Sequence, residues 1–173
     1  MIHYDFRATG LVVFDMLEAY RKPIEEAGTH KTTPHLIEAC RAAGVPIFYA
    51  RADHREDGAD FARCIADTDS GFRPWSSEHP AQHKPPHGAG SAEYHVIAEL
   101  RPQPGDYDVP KHRWNAFHGT HLELSLRSRD IDTILLVGGS THVGIASTAY
   151  AARDMDFQVT IVQDCCHGFP EQR

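Results

Sequence analysis

A chain of 173 residues makes one domain that buries roughly 70% of its unfolded surface, and 41% hydrophobic with 24% charged residues is ordinary for a globular protein. The formal charge of −7, with no basic stripe to offset it, argues against nucleic acid or an anionic membrane as partner. No apolar run approaches the ~20 residues that span a bilayer, and the start MIHYDFRATG lacks the basic and apolar regions of a secretory signal, so the expected compartment is the cytoplasm.

Gly10-Leu-Val-Val-Phe-Asp15 is a short apolar run ending in a carboxylate, the pattern of a central parallel strand with a polar residue at its C-terminal end. Thr33 offers an N-cap and Pro34 an N1 residue for an amphipathic helix over residues 35–43, which Gly44 ends. Residues 45–50 (VPIFYA) read as the next strand. Residues 52–95 are polar and rich in Gly, Pro, His and Asp; four of the thirteen histidines lie in the segment 79–95. That length without periodicity marks a functional lid or binding loop. A helical turn is expected over 96–100, a short strand over 107–110 leading into Lys111, and a helix over 120–129. A strand over 131–137, a helix over 142–153 and a strand over 157–162 follow, with any covering C-terminal helix short or absent.

Strands alternating with helices imply an α/β fold, a parallel sheet covered on both faces with its ligands at the carboxyl ends of the strands. Asp15, Lys111, the turn 138–144 and Asp164 are all expected at such ends. No internal repeat or linker divides the chain, so residues 1–173 read as a single domain.

The turn Gly138-Gly-Ser-Thr-His-Val-Gly144 follows the apolar run Thr133-Ile-Leu-Leu-Val137 and precedes the alanine-rich Ile145-Ala-Ser-Thr-Ala-Tyr-Ala-Ala-Arg153. Strand, glycine turn and helix together aim backbone N–H groups at one point, where developing negative charge is stabilised. A Cys or Ser commonly sits there. Gly144 has no side chain. Of the other candidates, Ser140, Thr141 and Ser147 are out of register, and Thr141 is expected to cap the following helix. Cys165 has only His167 near it to lower its pKa. The cysteines at 40, 64, 165 and 166 form no CxxC pattern and read as free thiols.

Three blocks carry a resemblance over nearly the whole chain: Leu11-Val-Val-Phe-Asp-Met16; Pro102-Gln-Pro-Gly-Asp with Lys111-His-Arg-Trp-Asn-Ala-Phe-His-Gly-Thr120; and residues 131–149. Together they resemble the isochorismatase-like (cysteine hydrolase) superfamily. The resemblance implies a flavodoxin-like, doubly wound parallel sheet of about six strands with helices on both faces, as a homo-oligomer. It implies a hydrolase of small polar molecules that uses Asp, Lys and Cys, with no cofactor. Asp15 matches the aspartate and Lys111 the lysine, while Gly144 stands at the cysteine's position. Glycine-bearing members include the isochorismatases, which cleave a vinyl ether without a covalent intermediate. Their aspartate is preceded by histidine, where this chain has Phe14. The block 113–120 and the glycine turn look more like a glycine-bearing branch without the cysteine.

Asp15 at a strand end would be partly desolvated, which raises a carboxyl pKa and suits it to acid or base work. Lys111 would hold Asp15 ionised or polarise a substrate oxygen. Arg113, Trp114, Gly139, Ser140, Thr141 and His142 are the expected substrate-binding residues, and the family's cis peptide falls at Gly139-Ser140. Asp53 and His54 are adjacent, so they lack the Asp-x-His spacing of the nicotinamidase metal site, and no metal is expected. The partner expected is a small-molecule substrate. Two alternatives stand: an inactive relative that binds a ligand or a protein, and an amidase whose native cysteine has been replaced by Gly144.

Overall fold

The structure is a computed structural model that describes residues 4–55, 60 and 90–168. Most of the 52–95 loop, with nearly all of its histidine-rich part, lies outside the described residues.

Five parallel strands form one sheet: β1 (Thr9–Phe14), β2 (Ile47–Ala52), β3 (Tyr107–Lys111), β4 (Thr133–Gly138) and β5 (Gln158–Cys166), in the order β3-β2-β1-β4-β5. Every residue of β1 is buried, as its unbroken apolar run requires of a central strand. Alternate residues serve two cores. Val12 and Phe14 face α3 (Leu122–Arg127) and α4 (Ala146–Asp154), through Leu122, Leu126 and Ala152. Leu11 and Val13 face α1 (Arg21–Ala27) and α2 (Thr29–Ala42), through Ile24, Ile37 and Cys40. The sheet is therefore covered on both faces. Five strands are found among the described residues where about six were expected.

The chain order reverses between β1 and β4, and at that switch point ligands bind in open α/β sheets. Asp15 follows β1 there, and the turn 139–144 follows β4.

Three elements differ from the sequence reading. Helix α2 begins at Thr29, with Pro34 inside it, rather than after Thr33. Thr29, Thr33, Ile37 and Cys40 are buried at helical spacing, and this packed face outweighs the hydrogen bond that Pro34 cannot donate. Gly44, at φ 74°, ends the helix as expected. Helix α1 was not anticipated. Strand β5 runs on to Cys166, with a register shift that pairs Leu136 with Ile161 but Gly138 with Cys166. Asp164 consequently lies within the strand, not at its carboxyl end; it is exposed, and its carbonyl accepts from the Thr32 hydroxyl.

Candidate active site

Asp15 leaves β1 with φ 47°, a left-handed conformation that aspartate tolerates better than most side chains. Its backbone N–H still bonds the Ala50 carbonyl (2.9 Å), so the turn happens just past the sheet. The carboxylate lies across the ends of the next two strands. Oδ1 accepts from the Ala52 N–H at 2.7 Å, and Oδ2 accepts from Lys111 Nζ at 2.6 Å. The side chains are 9% and 5% exposed, so this ion pair is almost fully withdrawn from water. Lys111, the last residue of β3, is registered opposite Ala52, and its Nζ stands 4.2 Å from the Phe14 ring centroid. A carboxylate offers about four lone-pair sites, and these two bonds use half of them. The remaining lone pairs are free to meet a further donor.

The turn after β4 closes the site's other side. Gly139-Ser140 is a cis peptide, and residues Thr141–Ile145 form one π-helical turn that leads into α4. Wide turns of this kind concentrate at functional positions. Gly144 is buried within it. The Thr141 hydroxyl does not cap the helix, contrary to expectation. It donates to the His167 carbonyl (2.7 Å), the Ser140 hydroxyl and His142 Nδ1–H donate to that of Gly168 (3.4 and 2.9 Å), and the Thr141 N–H also reaches His167 (3.1 Å). These bonds tie the turn to the end of β5.

His167 is the residue that sequence reasoning missed as a structural partner. Its ring is buried beneath the turn, and a Cβ on Gly139 would lie 2.5 Å from its Nε2, so only glycine fits there. Burial alone pushes the imidazole pKa down to about 4. Among the described residues, its Nδ1 has no hydrogen-bond partner. A run of Cys, Cys and His after an apolar strand gave little to distinguish this histidine from twelve others. Cys165 is buried in the core beneath α2, and burial raises the thiols of Cys40 and Cys166 to about 11. Such thiols are poor nucleophiles.

Arg113 and Trp114 follow Lys111 and are exposed. Arg113 Nη1 donates to the carbonyls of Asp60 and His112, both at 2.6 Å. The segment after Lys111 is anchored by Thr148 on α4, whose hydroxyl accepts from the Ala116 N–H (3.0 Å) and donates to the Trp114 carbonyl (3.5 Å). Thr148→Val keeps the shape but leaves the buried Ala116 N–H unpaired. We expect a loss of about 1–3 kcal/mol, read as a lower Tm.

His54, Asp60 and His112 bring their ligand atoms within 4.8 Å of one another. Asp53, the acidic neighbour considered from sequence, is not in this group; its side chain pairs with Arg51 at 3.2 Å. Two imidazoles and a carboxylate could hold a divalent cation such as zinc. Asp60 lies at ion-pair distance from both rings, 3.5 Å from His54 Nδ1 and 3.2 Å from His112 Nδ1. Its carboxylate also accepts from the Arg55 N–H, and His112 Nδ1 pairs with the Asp53 carbonyl. Their spacing in the chain, 54, 60 and 112, conceals this grouping.

Among the described residues, no helix is long and apolar enough to cross a membrane. The isochorismatase domain model matches residues 9–173. The isochorismatase family protein YwoC of Bacillus subtilis is 34% identical, over 99% of this chain and 84% of its own length. The ureidoacrylate amidohydrolase RutB of Agrobacterium fabrum is 28% identical, over 92% of this chain and 75% of its own. The crystal structure of N-carbamoylsarcosine amidase from Thermoplasma acidophilum superposes with a TM-score of 0.72 at 25% identity, covering 95% of this chain and 86% of that one. The chain belongs to the isochorismatase family of hydrolases.

Proposed function

We propose that this protein hydrolyses a small polar metabolite of vinyl ether, amide or ureide type by Asp15 and Lys111 chemistry, without a cysteine nucleophile. The observation that carries the reading is the buried Asp15–Lys111 pair at 2.6 Å, together with the turn that buries Gly144, the residue which the family resemblance aligns with the cysteine. With an amide or ureide, Asp15 takes a proton from water as the water oxygen attacks the carbonyl carbon. The C–N bond then breaks and the proton passes to the leaving nitrogen. With a vinyl ether, protonated Asp15 gives its proton to the alkene carbon, and water adds to the resulting oxocarbenium ion and returns a proton to Asp15. The hemiketal then breaks its C–O bond, its hydroxyl proton passing to the leaving oxygen, to give a ketone and an alcohol. With an amide or ureide, Lys111 and the backbone at Gly144 stabilise the oxyanion that develops on the carbonyl oxygen; with a vinyl ether, Lys111 stabilises the Asp15 carboxylate left by proton transfer. Gly139, Ser140, Thr141 and His142 shape that wall, with Arg113 and Trp114 at the mouth.

The carbamoyl and ureido chemistry named for the amidohydrolase and amidase relatives supports including those compounds. This chain would then stand in a glycine-bearing branch of the family. The test is mass-spectrometric turnover of isochorismate, simple amides, ureides and carbamoyl compounds by wild type and Asp15→Asn, side by side. Consumption of one compound by wild type, lost in Asp15→Asn with the fold intact, is the expected result. Equal consumption by both proteins refutes the assignment of Asp15. Consumption of nothing favours the second reading, a ligand- or protein-binding relative.

A further inference from the structure

The space beside Gly144 is occupied. A Cβ placed on Gly144 would lie 2.2 Å from Phe14 Cε1, 2.5 Å from Cζ and 3.2 Å from Cδ1, the first two far inside van der Waals contact. Phe14 has little freedom to turn away. It is 1% exposed at the end of β1, in the core that also holds Ala50, Val109 and Ile145. Its carbonyl accepts from the Gly139 N–H at 3.2 Å, and that oxygen lies so near Gly138 that a Cβ there would come within 1.9 Å. Lys111 Nζ stands over the same ring. Thus the Phe14 ring lies against both the position where a nucleophile would be attached and the lysine of the buried pair.

We infer that Phe14 is a specificity-determining residue: its ring takes the place that a nucleophilic side chain at position 144 would need, and so restricts the site to hydrolysis without a covalent enzyme intermediate. This rests on the reading of Asp15 and Lys111 as the reacting pair. Phe14 and Gly144 form a matched pair, large against absent. One consequence bears on the idea of a replaced cysteine. Restoring a thiol at 144 alone meets the Phe14 ring, so Gly144→Cys does not by itself rebuild a cysteine hydrolase.

A double-substitution cycle tests the inference. Phe14→Leu removes Cε1 and Cζ, the two atoms in closest approach, and keeps carbons near the Cδ positions, where 3.2 Å is tight but tolerable. In the natural background, Gly144→Cys is expected to lower Tm by about 5 °C or more, the scale of overpacking in a domain of this size. In the Phe14→Leu background the same change is expected to cost less than about 2 °C. Gly144→Ala keeps the cycle readable if the cysteine variant does not fold. Position 144 has a helical backbone, where replacing glycine by alanine stabilises if there is room, so its effect should change from a loss to neutral or a gain.

Iodoacetamide supplies the second readout. The thiolate at 144 forms an S–C bond, iodide leaves, and the thiol proton goes to solvent. Peptide mass spectrometry should find this position labelled at least tenfold faster in the double variant than in Gly144→Cys. Equal thermal costs in the two backgrounds, or labelling no faster in the double variant, overturns the inference. Neither readout uses turnover, so either can fail without affecting the Asp15–Lys111 assignment, which the substrate panel tests separately.

Discussion

Lys111→Met is expected to destabilise the protein by about 3–5 kcal/mol and to abolish turnover. The side chain is similar in length and sits on the Phe14 ring, so little packing is lost. What is lost is the cation 2.6 Å from Asp15 Oδ2. The carboxylate then remains buried with the Ala52 N–H as its remaining donor among the described contacts, and an uncompensated buried charge is the costly outcome. Asp15→Asn, in turn, strands the ammonium. Changing both residues removes both charges, so the double variant should recover part of the loss. Urea unfolding of the four proteins measures the coupling directly, with about 1–3 kcal/mol expected. Additive losses would mean that the pair is not coupled, and would remove the reason for treating it as the reacting unit. Turnover distinguishes stability from chemistry: the double variant should regain stability and stay inactive.

Much of this pair is legible in the sequence. An apolar run ending in Asp15 and a short strand ending in Lys111 both placed polar groups at carboxyl ends, and parallel topology gathers such ends on one edge. The glycine turn was legible for the same reason, since a buried strand followed by Gly-Gly and an alanine-rich stretch has few other foldings. Other features depended on tertiary packing that a one-dimensional pattern does not carry. Phe14 reads as one more apolar residue in a central strand; that its ring abuts Gly144 follows from the pairing of Phe14 with Gly138 across β1 and β4. Pro34 reads as a helix start because its missing N–H argues locally, whereas the buried face of Thr29, Thr33, Ile37 and Cys40 decides. The grouping of His54, Asp60 and His112 joins residues after two different strands, and no spacing rule within one segment reports it.

His167 yields the last expectation, on pH. An unperturbed imidazole in the unfolded chain titrates near pH 6.5, whereas burial holds this one at about 4 in the folded protein. Between those values the unfolded state carries more bound protons, so stability falls as the pH falls. The contribution is fully present above about pH 6.5 and declines through the window down to about 4, by roughly 3 kcal/mol in all. His167→Gln removes the titration. Its Tm at pH 7 is expected to be below that of the natural protein, because the ring packs under Gly139, and the gap should narrow as the pH is lowered to 4. Asp5 and Glu99, held below the ordinary carboxyl range by Arg7 and Arg21, lose stability at lower pH still, and equally in both proteins. Parallel Tm curves for the two proteins would show that the imidazole does not stay neutral in its buried place. The effect reaches the site because the turn 139–144 hangs on this residue: the His167 N–H bonds Gly138, and its carbonyl takes two bonds from Thr141. Protonation that expels the ring therefore loosens the wall of the site opposite Asp15 and Lys111, and activity should fall over the same acid window as stability.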